Sequence, residues 1–297
     1  MEQSAIETND LKKAFGKQAA VDGLNLRVPA GSIYGFLGRN GAGKTTTIEL
    51  LLNIVAPDSG FATILGVPIT DPGQSIEVRR RIGFVSEEKG LYPYMTVEQI
   101  IRFTRPFFPK WRDDLERRYL EMFGLPSKKK IGDLSKGMAS KLMLLLAVAR
   151  GVDLLILDEP TDGLDPSAVE EVLRELVTLV AQTGTTIFFS SHQLTEVEQI
   201  ADHVCIIDRG RSIVAGALDD LKTQYQRIQV VLSSELHSPV RWVEGVEQFH
   251  QEGRTISLLV SRNVEAIVAQ VRSLPGASTE QHPVSLKEIF LESVRSN

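Results

Sequence analysis

Short uninterrupted apolar runs alternate along most of the chain with stretches whose apolar residues recur every three or four positions. The apolar runs predict buried strands, and the periodic stretches predict helices that pack against a sheet. The predicted strands span residues 33–37, 82–85, 154–157 and 186–189. The predicted helices span residues 44–53, 97–107, 113–123, 137–149, 167–182 and 193–201. This alternation indicates an α/β fold built around a largely parallel sheet.

The two ends of the chain have a different texture. Residues 5–30 resemble two β segments joined by turns and predict an antiparallel β flank beside the parallel core. Near the other end, Asp208-Arg209-Gly210 follows a predicted strand and indicates a hairpin. The later segments predict short helices and strands at 218–226, 229–232, 255–260, 264–273 and 286–294. We therefore expect a first domain of residues 1–226 and a small α+β domain of residues 227–297.

Composition narrows the class of protein. Hydrophobic residues make up 42% of the chain, charged residues 24%, and the mean hydropathy is -0.04, as in soluble globular proteins. The longest apolar run, 142–149, is far shorter than the roughly 18 residues of a membrane span. Cys205 is the single cysteine, so no internal disulfide can form. The N-terminal residues lack the apolar segment of a secretory signal, and we expect a cytoplasmic protein.

The charge balance argues against nucleic acid as a partner. The net charge is -5, the wrong sign for a protein whose main task is to neutralise phosphates of DNA or RNA. The basic runs 79–81 and 128–130 are short, and we expect them to be solvated faces.

One segment matches the pattern G-x-x-x-x-G-K-[ST], which binds nucleotide phosphates. It lies between a predicted strand and a predicted helix, as the mechanism requires. Its glycines let backbone N–H groups turn toward an anion, and the helix N-terminus adds a positive dipole. We expect Lys44 to reach the outer phosphates and Thr45 to offer its hydroxyl to Mg²⁺. The expected nucleotide-binding residues are Gly38, Arg39, Asn40, Gly41, Ala42, Gly43, Lys44, Thr45 and Thr46.

Two acidic residues end the predicted strand 154–157. Ligands bind at the carboxyl ends of parallel strands, and successive strand residues point to opposite faces. Asp158 is therefore expected to join the Mg²⁺ shell and Glu159 to act on the water that attacks the γ-phosphate. A strand end with two solvated acids is the alternative interpretation, which the nearby phosphate loop disfavours.

Three further segments stand at characteristic places relative to these motifs. Leu134-Ser135-Lys136-Gly137-Met138 opens a predicted helix, Asp162-Gly163-Leu164-Asp165-Pro166 follows the two acids, and His192 follows a predicted strand. With the phosphate loop, they resemble the signature segment, D-loop and switch histidine of the ATP-binding-cassette (ABC) ATPases. Phe15 stands where that family places an aromatic residue against adenine, although a simple packing role is equally compatible with its position.

The resemblance implies a P-loop NTPase core of the ABC type, with an antiparallel β flank, a helical subdomain at about 88–150 and a small α+β extension. ATP and Mg²⁺ are the implied cofactors, and Lys44, Glu159 and His192 are the implied catalytic residues. A capping or hydrogen-bonding role is the ordinary alternative for a histidine such as His192.

The resemblance also implies assembly. In the family, two cassettes clamp two ATP molecules head to tail, so Ser135, Gly137 and Asp165 are expected to act across a dimer on the partner's nucleotide. The partner chain is either a second copy or a related ATPase.

Two departures from the family pattern stand out. Glu87 occupies the position where a glutamine normally forms the Q-loop, and we expect its carboxylate to join the Mg²⁺ ligands. Its negative charge lies beside triphosphate, and it cannot donate a hydrogen bond as an amide does. The signature has Lys136 in place of glycine and Met138 in place of glutamine.

Aromatic residues are concentrated within residues 92–111, next to the Q-loop position. Part of this cluster is expected to pack in the core, and the rest, Tyr92 and Phe108 among them, to line a groove for a partner helix. In the family this region receives a cytoplasmic helix of a membrane subunit, so the resemblance implies a separately encoded permease as the partner. The segment 284–291 resembles the C-terminal extension of bacterial export-type ATPases, which favours export and a place on the inner face of the cell membrane.

Two other functions compete with a transporter subunit. One is a soluble ABC-type ATPase that acts as a nucleotide-controlled clamp on a non-membrane assembly. The other is a sensor that binds ATP without hydrolysing it, and the presence of Lys44, Asp158, Glu159 and His192 together disfavours it.

Overall fold

The computed structural model describes residues 3–70, 75–86, 90–235, 240–274 and 276–295. They form two compact units, one reaching to Ala215 and one starting at Gly216. The strands of the first unit are β1 (Ser4–Phe15), β2 (Gln18–Pro29), β3 (Ile33–Leu37), β4 (Ser59–Ile64), β5 (Val67–Pro68), β6 (Ile82–Val85), β7 (Leu154–Asp158), β8 (Thr186–Ser191), β9 (His203–Asp208) and β10 (Arg211–Ala217), the last of which runs two residues past the boundary.

Seven helices are described in the first unit. They are α1 (Lys44–Leu51), α2 (Ser75–Arg80), α3 (Val97–Thr104), α4 (Asp113–Met122), α5 (Lys136–Val148), α6 (Pro166–Thr183) and α7 (Leu194–Ile200). Single 3₁₀ turns follow at Arg105–Phe107 and Ile131–Asp133. All six predicted helices are confirmed, with ends that differ by up to three residues, whereas α2 was not predicted.

The central sheet has the order β10-β9-β3-β8-β7-β6, and the pairs from β9 to β6 are parallel. Every residue of β3, β7 and β8 is buried, which explains why these strands appear in the sequence as continuous apolar runs. Phe36 and Phe188 meet between β3 and β8 with ring centroids 5.2 Å apart. The four predicted core strands and the α/β class are thus confirmed.

A second sheet, β2-β1-β4-β5, forms the antiparallel flank. The two predicted β segments within residues 5–30 correspond to β1 and β2. The hairpin between β9 and β10 is also confirmed, because Arg209 and Gly210 have φ of 47° and 78°, as the tightest hairpin turns require. Cys205 is buried on β9, and burial raises the pKa of its thiol to about 12.

The second unit is a small α+β body. It consists of α8 (Leu218–Gln224), β11 (Gln226–Val231), β12 (Val246–Glu252), β13 (Thr255–Val260), α9 (Val264–Arg272), β14 (Ser278–Pro283) and α10 (Leu286–Arg295). Its antiparallel sheet has the order β12-β13-β11-β14, and its core joins β11 and β13 to α9. None of the helices in the described ranges of either unit has the length and hydropathy needed to cross a bilayer.

Candidate functional site

The carboxyl ends of β3, β7 and β8 meet at one edge of the central sheet, where α/β proteins bind ligands. A cavity of about 670 Å³ opens there. It is lined by Phe15, Gln18, Ala20, Arg39, Asn40, Gly41, Gly43, Lys44, Thr45, Thr46, Glu159, Asp162 and His192. Gly38, Ala42 and Asp158 are not among the lining residues, but each hydrogen-bonds to one that is.

Backbone geometry makes two glycines of the phosphate loop necessary. Gly43 has φ of 105°, and a Cβ there would lie 2.3 Å from the carbonyl oxygen of Ala20. A Cβ at Gly38 would lie 2.7 Å from the carbonyl oxygen of Ile207. The loop therefore packs closely on its neighbours and leads directly into the N-terminus of α1. That N-terminus presents backbone N–H groups and a positive dipole to the cavity.

Lys44 is the first residue of α1, and only 7% of its side chain is exposed. Its Nζ donates a hydrogen bond of 2.8 Å to the Gly38 carbonyl oxygen, so the ammonium folds back across the loop. The same Nζ lies 3.4 Å from Oε1 of Glu159. These two oxygen atoms hold the Lys44 ammonium at the wall of the cavity, where it can donate charge-assisted hydrogen bonds to an anion.

Asp158 joins two of the converging segments. Its Oδ2 accepts a hydrogen bond of 3.0 Å from the Thr45 hydroxyl, and its Oδ1 accepts one of 2.5 Å from the Ser190 hydroxyl. One carboxylate and one hydroxyl are hard oxygen donors, the kind that Mg²⁺ takes together with water and phosphate oxygens. Ser190 was not predicted, although the polar residues that end β8 mark this position in the sequence.

Glu159 has an unusual backbone, with φ of 50°. Its N–H donates to the carbonyl and hydroxyl oxygens of Ser190 at 3.3 and 3.1 Å, which holds this conformation. Its Oε2 lies 2.9 Å from Nδ1 of His192, while Oε1 faces Lys44. Non-glycine residues in the left-handed region cost about 1–3 kcal/mol and cluster at functional sites. The conformation directs the Glu159 carboxylate between the lysine and the histidine.

A buried pair that was not predicted lies behind these residues. The Thr161 hydroxyl donates a hydrogen bond of 2.6 Å to Oε2 of Glu196 on α7. Burial raises the pKa of the Glu196 carboxyl, and the charge of Glu159 acts in the same direction. Glu196 lies four positions after His192 on a short helix, and no pattern in the sequence marks it as part of this site.

The signature segment and the D-loop begin two helices. The Ser135 hydroxyl accepts a hydrogen bond from the Met138 N–H at the start of α5, and the Asp165 carboxylate accepts one from the Ala168 N–H at the start of α6. Ser135, Gly137 and Asp165 are not among the residues lining this chain's own cavity.

Phe15 lies at the cavity, with 53% of its surface exposed and the Lys13 ammonium 5.7 Å from its ring centroid. An exposed ring at this place offers a face to a planar base. Glu87, the expected additional Mg²⁺ ligand, lies outside the described residues.

The aromatic cluster within residues 92–111 divides into two groups. Four exposed rings touch one another in series with centroid separations of 5.6–6.1 Å: Tyr94, Tyr92, Phe103 and Phe107. We name these four the aromatic ladder. Phe108 instead packs on the half-buried Arg150, and Trp111 donates a hydrogen bond to Glu116. None of the six rings of this segment belongs to the buried core, and Phe108 and Trp111 are half-buried, so the expected core packing of part of the cluster is not seen. Phe108, which was expected beside Tyr92 in the groove, lies outside the exposed series.

Comparison with known proteins identifies relatives. The ABC transporter family matches residues 21–162. The bacitracin transport ATP-binding protein BcrA of Bacillus licheniformis is 38% identical, over 84% of this chain and 83% of that protein. The Nod factor export ATP-binding protein I of Rhizobium etli is 34% identical, over 98% and 93%. A solved ATP-binding subunit of an ABC transporter is 30% identical over 74% of this chain and 93% of its own, with a TM-score of 0.67.

These similarities extend well beyond the phosphate loop, which many unrelated nucleotide-binding proteins share. They cover the central sheet, the signature segment and, in the Nod factor protein, nearly the whole chain. The expected fold, an ABC-type P-loop core with an antiparallel flank and a small α+β extension, is confirmed, and a non-transport clamp is not favoured. The chain belongs to the ABC transporter family and is an ATP-binding, ATP-hydrolysing subunit of that family.

Proposed function

We propose that this chain hydrolyses MgATP in the cavity at the carboxyl edge of the central sheet and thereby drives export through a separate membrane permease. The observation that carries the assignment of the site is the meeting of Lys44, Thr45, Asp158, Glu159 and His192 within direct contact distances. Their groups are those that phosphoryl transfer to water requires: a cation, metal-binding oxygens, a water-orienting carboxylate and a γ-phosphate contact.

The phosphates would lie over the loop from Gly38 to Thr46, where the start of α1 supplies N–H donors. In this proposal Lys44 leaves Glu159 to contact the outer phosphates, while Thr45 and Asp158 hold Mg²⁺. The metal would neutralise charge on the phosphates and fix their geometry. The oxygen donor set of Thr45 and Asp158 fits such an ion, because Mg²⁺ takes one or two carboxylates and fills its shell with water and phosphate.

Glu159 would orient the attacking water and accept its proton. Its carboxylate is freed for this role once Lys44 turns to the phosphates, and His192 then holds it from the other side. His192 would contact the γ-phosphate through its remaining ring nitrogen. Phe15 would stack on adenine at the mouth of the cavity.

A second chain would complete the site. The N-terminus of α5, with Ser135 and Gly137, would offer a second set of backbone N–H groups to an anion. Asp165 caps the N-terminus of the next helix, α6. We infer that these residues contact the nucleotide held by a partner chain, so that two chains close over two ATP molecules. Binding then links the subunits, and hydrolysis removes the link.

The partner in the membrane would bind the aromatic ladder. Aromatic residues are enriched at the centres of protein interfaces. The aromatic ladder follows the Q-loop position closely in sequence and would thus join the permease to the nucleotide site. The similarity to the Nod factor export protein supports export as the direction, and the similarity to the bacitracin transport protein supports a transport role. The ATPase would then sit on the cytoplasmic face of the cell membrane.

We assign residues 1–226 to the ATPase domain, with a helical subdomain at about 88–150, and residues 227–297 to a separate extension. The compact units divide at Ala215, so α8 would belong to the ATPase domain by function and to the second unit by packing.

Phosphate release by the purified full chain tests the ATPase assignment. Lys44→Ala is expected to lower turnover by at least about a hundredfold, since the cation that meets the phosphates is lost. Lys128→Ala, at an exposed position that does not line the cavity, serves as the control and should match the parent chain. Turnover that Lys44→Ala leaves unchanged would contradict the assignment of this cavity.

Co-purification of the tagged chain with its permease from detergent-solubilised membranes tests the transporter assignment. Replacing Tyr92 and Phe103 by alanine should release the permease, because these rings occupy the centre of the aromatic ladder. Phe61→Ala removes an equally exposed aromatic ring from β4 and should leave the complex intact. Retention of the permease by the Tyr92/Phe103 variant would refute the proposed docking surface.

A further inference from the structure

Lys136, which replaces a family glycine in the signature segment, makes a specific contact within the chain. Its Nζ lies 2.6 Å from Oδ2 of Asp162, in the loop that follows Glu159. The side chains are 59% and 36% exposed. Ion pairs between exposed side chains add little to stability, so this pair matters little to the fold as a whole. Its effect must be sought in the position of the segments that it joins.

The pair is supported by packing on both sides. Gly163 has φ of 74°, and a Cβ there would lie 2.6 Å from Cδ of Lys136, so the lysine stem lies directly over this glycine. One residue further along each segment, a Cβ on Gly137 would lie 3.2 Å from Leu164. The start of α5 and the loop after β7 therefore contact each other closely at two consecutive positions.

The same loop carries the proposed catalytic carboxylate. The Asp162 N–H donates a hydrogen bond of 3.2 Å to the Glu159 carbonyl oxygen, and the Leu164 N–H donates one of 3.1 Å to Thr161. Asp162 also lines the nucleotide cavity. One tight turn therefore links Asp162 to Glu159, whose left-handed backbone sets where its carboxylate points.

The geometry points to Lys136 and Asp162 as a positioning pair for ATP hydrolysis. The pair fixes the loop of residues 159–165 against the start of α5 and so holds Glu159 in place, while its contribution to ATP binding is small. This inference rests on the proposed role of Glu159. It assigns to the lysine of this signature a function within its own chain, in addition to any contact that the segment makes across a dimer.

Steady-state ATPase kinetics of the full chain and a double-mutant cycle test the pair. The variants are Lys136→Met, Asp162→Asn, their combination, and Lys136→Arg, which keeps the charge. Lys141→Met is the matched control, because Lys141 on the same helix forms a 2.7 Å ion pair with Glu171 on α6, away from the cavity.

We expect each single variant and the double variant to lower kcat by a similar factor of about three to ten, with KM for ATP changed by less than about twofold. Misplacing a catalytic group by 1 Å lowers the rate by about a hundredfold, and loosening an exposed ion pair should lower it by less. Lys136→Arg should restore at least half of the kcat, and Lys141→Met should match the parent chain.

Several results would overturn the pair. If the factors by which the single variants lower kcat multiply in the double variant, the two residues act independently. If only KM changes, the pair acts in ATP binding. If Lys136→Met and Lys141→Met lower kcat equally, the effect is not specific to the pair. Glu159→Gln, measured in the same assay, separates the two proposals. If it retains turnover, the role of Glu159 fails, whereas normal kcat in the pair variants alone removes only the pair.

Discussion

Glu159→Gln is the substitution that most sharply separates catalysis from nucleotide binding in this site. Glutamine keeps the volume of the side chain and one acceptor oxygen, so it can still accept the 3.3 Å hydrogen bond from the His192 backbone N–H. It removes the charge that lies 3.4 Å from Lys44 and the capacity to accept a proton from water. The fold and the phosphate loop should therefore be preserved.

The expected magnitude follows from the role of a positioned base, which contributes about a hundredfold to ten-thousandfold. At about 1.36 kcal/mol for each tenfold change in rate, this corresponds to about 2.7–5.4 kcal/mol in the barrier. ATP affinity should be unchanged or tighter, because one negative charge beside the triphosphate is removed.

Phosphate release measures turnover, and equilibrium binding of ATP measures affinity, each on the same preparation. Glu170→Gln, an exposed glutamate on α6, is the matched control and should behave as the parent chain. If turnover of Glu159→Gln stays within about threefold of the parent, or if ATP affinity falls in step with turnover, the assignment of Glu159 as the water-orienting residue is refuted.

Three other substitutions test separate parts of the account. Gly43→Ala should reduce ATP affinity, measured by equilibrium binding, at least about tenfold. The φ of Gly43 is 105°, and an added Cβ would lie 2.3 Å from the Ala20 carbonyl oxygen, so a side chain does not fit there. Unaltered affinity would contradict the loop geometry. Burial raises the pKa of the Glu196 carboxyl in the folded chain above its value of 4.5 in the unfolded chain. The neutral carboxyl therefore stabilises the fold fully below pH 4.5, and this contribution is lost as the pH rises through the folded pKa. Urea titrations should therefore show the Glu196→Gln chain gaining free energy of unfolding relative to the parent chain as the pH rises above 4.5. A difference between the two chains that stays constant with pH would contradict the buried, neutral carboxyl. Phe188→Ala removes a fully buried ring from β8 and should lower the free energy of unfolding by about 3–5 kcal/mol, and a loss below about 1 kcal/mol would contradict its central packing.

The sequence predicts the elements whose signal is local. The strands β3, β7 and β8 are continuous apolar runs because they are buried on both faces, and the phosphate loop is read from its own residues. Asp158 and Glu159 were placed correctly at the edge of the sheet, because parallel strands bring their carboxyl ends together.

The elements that were missed depend on partners elsewhere in the chain. β14, Ser278–Pro283, is almost wholly exposed, has no apolar alternation, and is a strand because it pairs with β11. β4 and β12 likewise have weak patterns and are defined by their pairing with β1 and β13.

The same reasoning explains the parts of the site that were not foreseen. The contact between Lys136 and Asp162 joins residues from two segments, as does the bond from Thr161 to Glu196. Side-chain pairing across segments is fixed by the packing of α5 and α7 on the sheet, and a pattern within one segment does not contain it.

The central claim is that two chains close over ATP, and the mass of the Glu159→Gln chain in sedimentation equilibrium tests it most directly. Without nucleotide the account predicts a single chain of 32.8 kDa, and with saturating ATP and Mg²⁺ it predicts a species of twice that mass. A chain that binds ATP stoichiometrically yet keeps the mass of one copy at every protein concentration would contradict it.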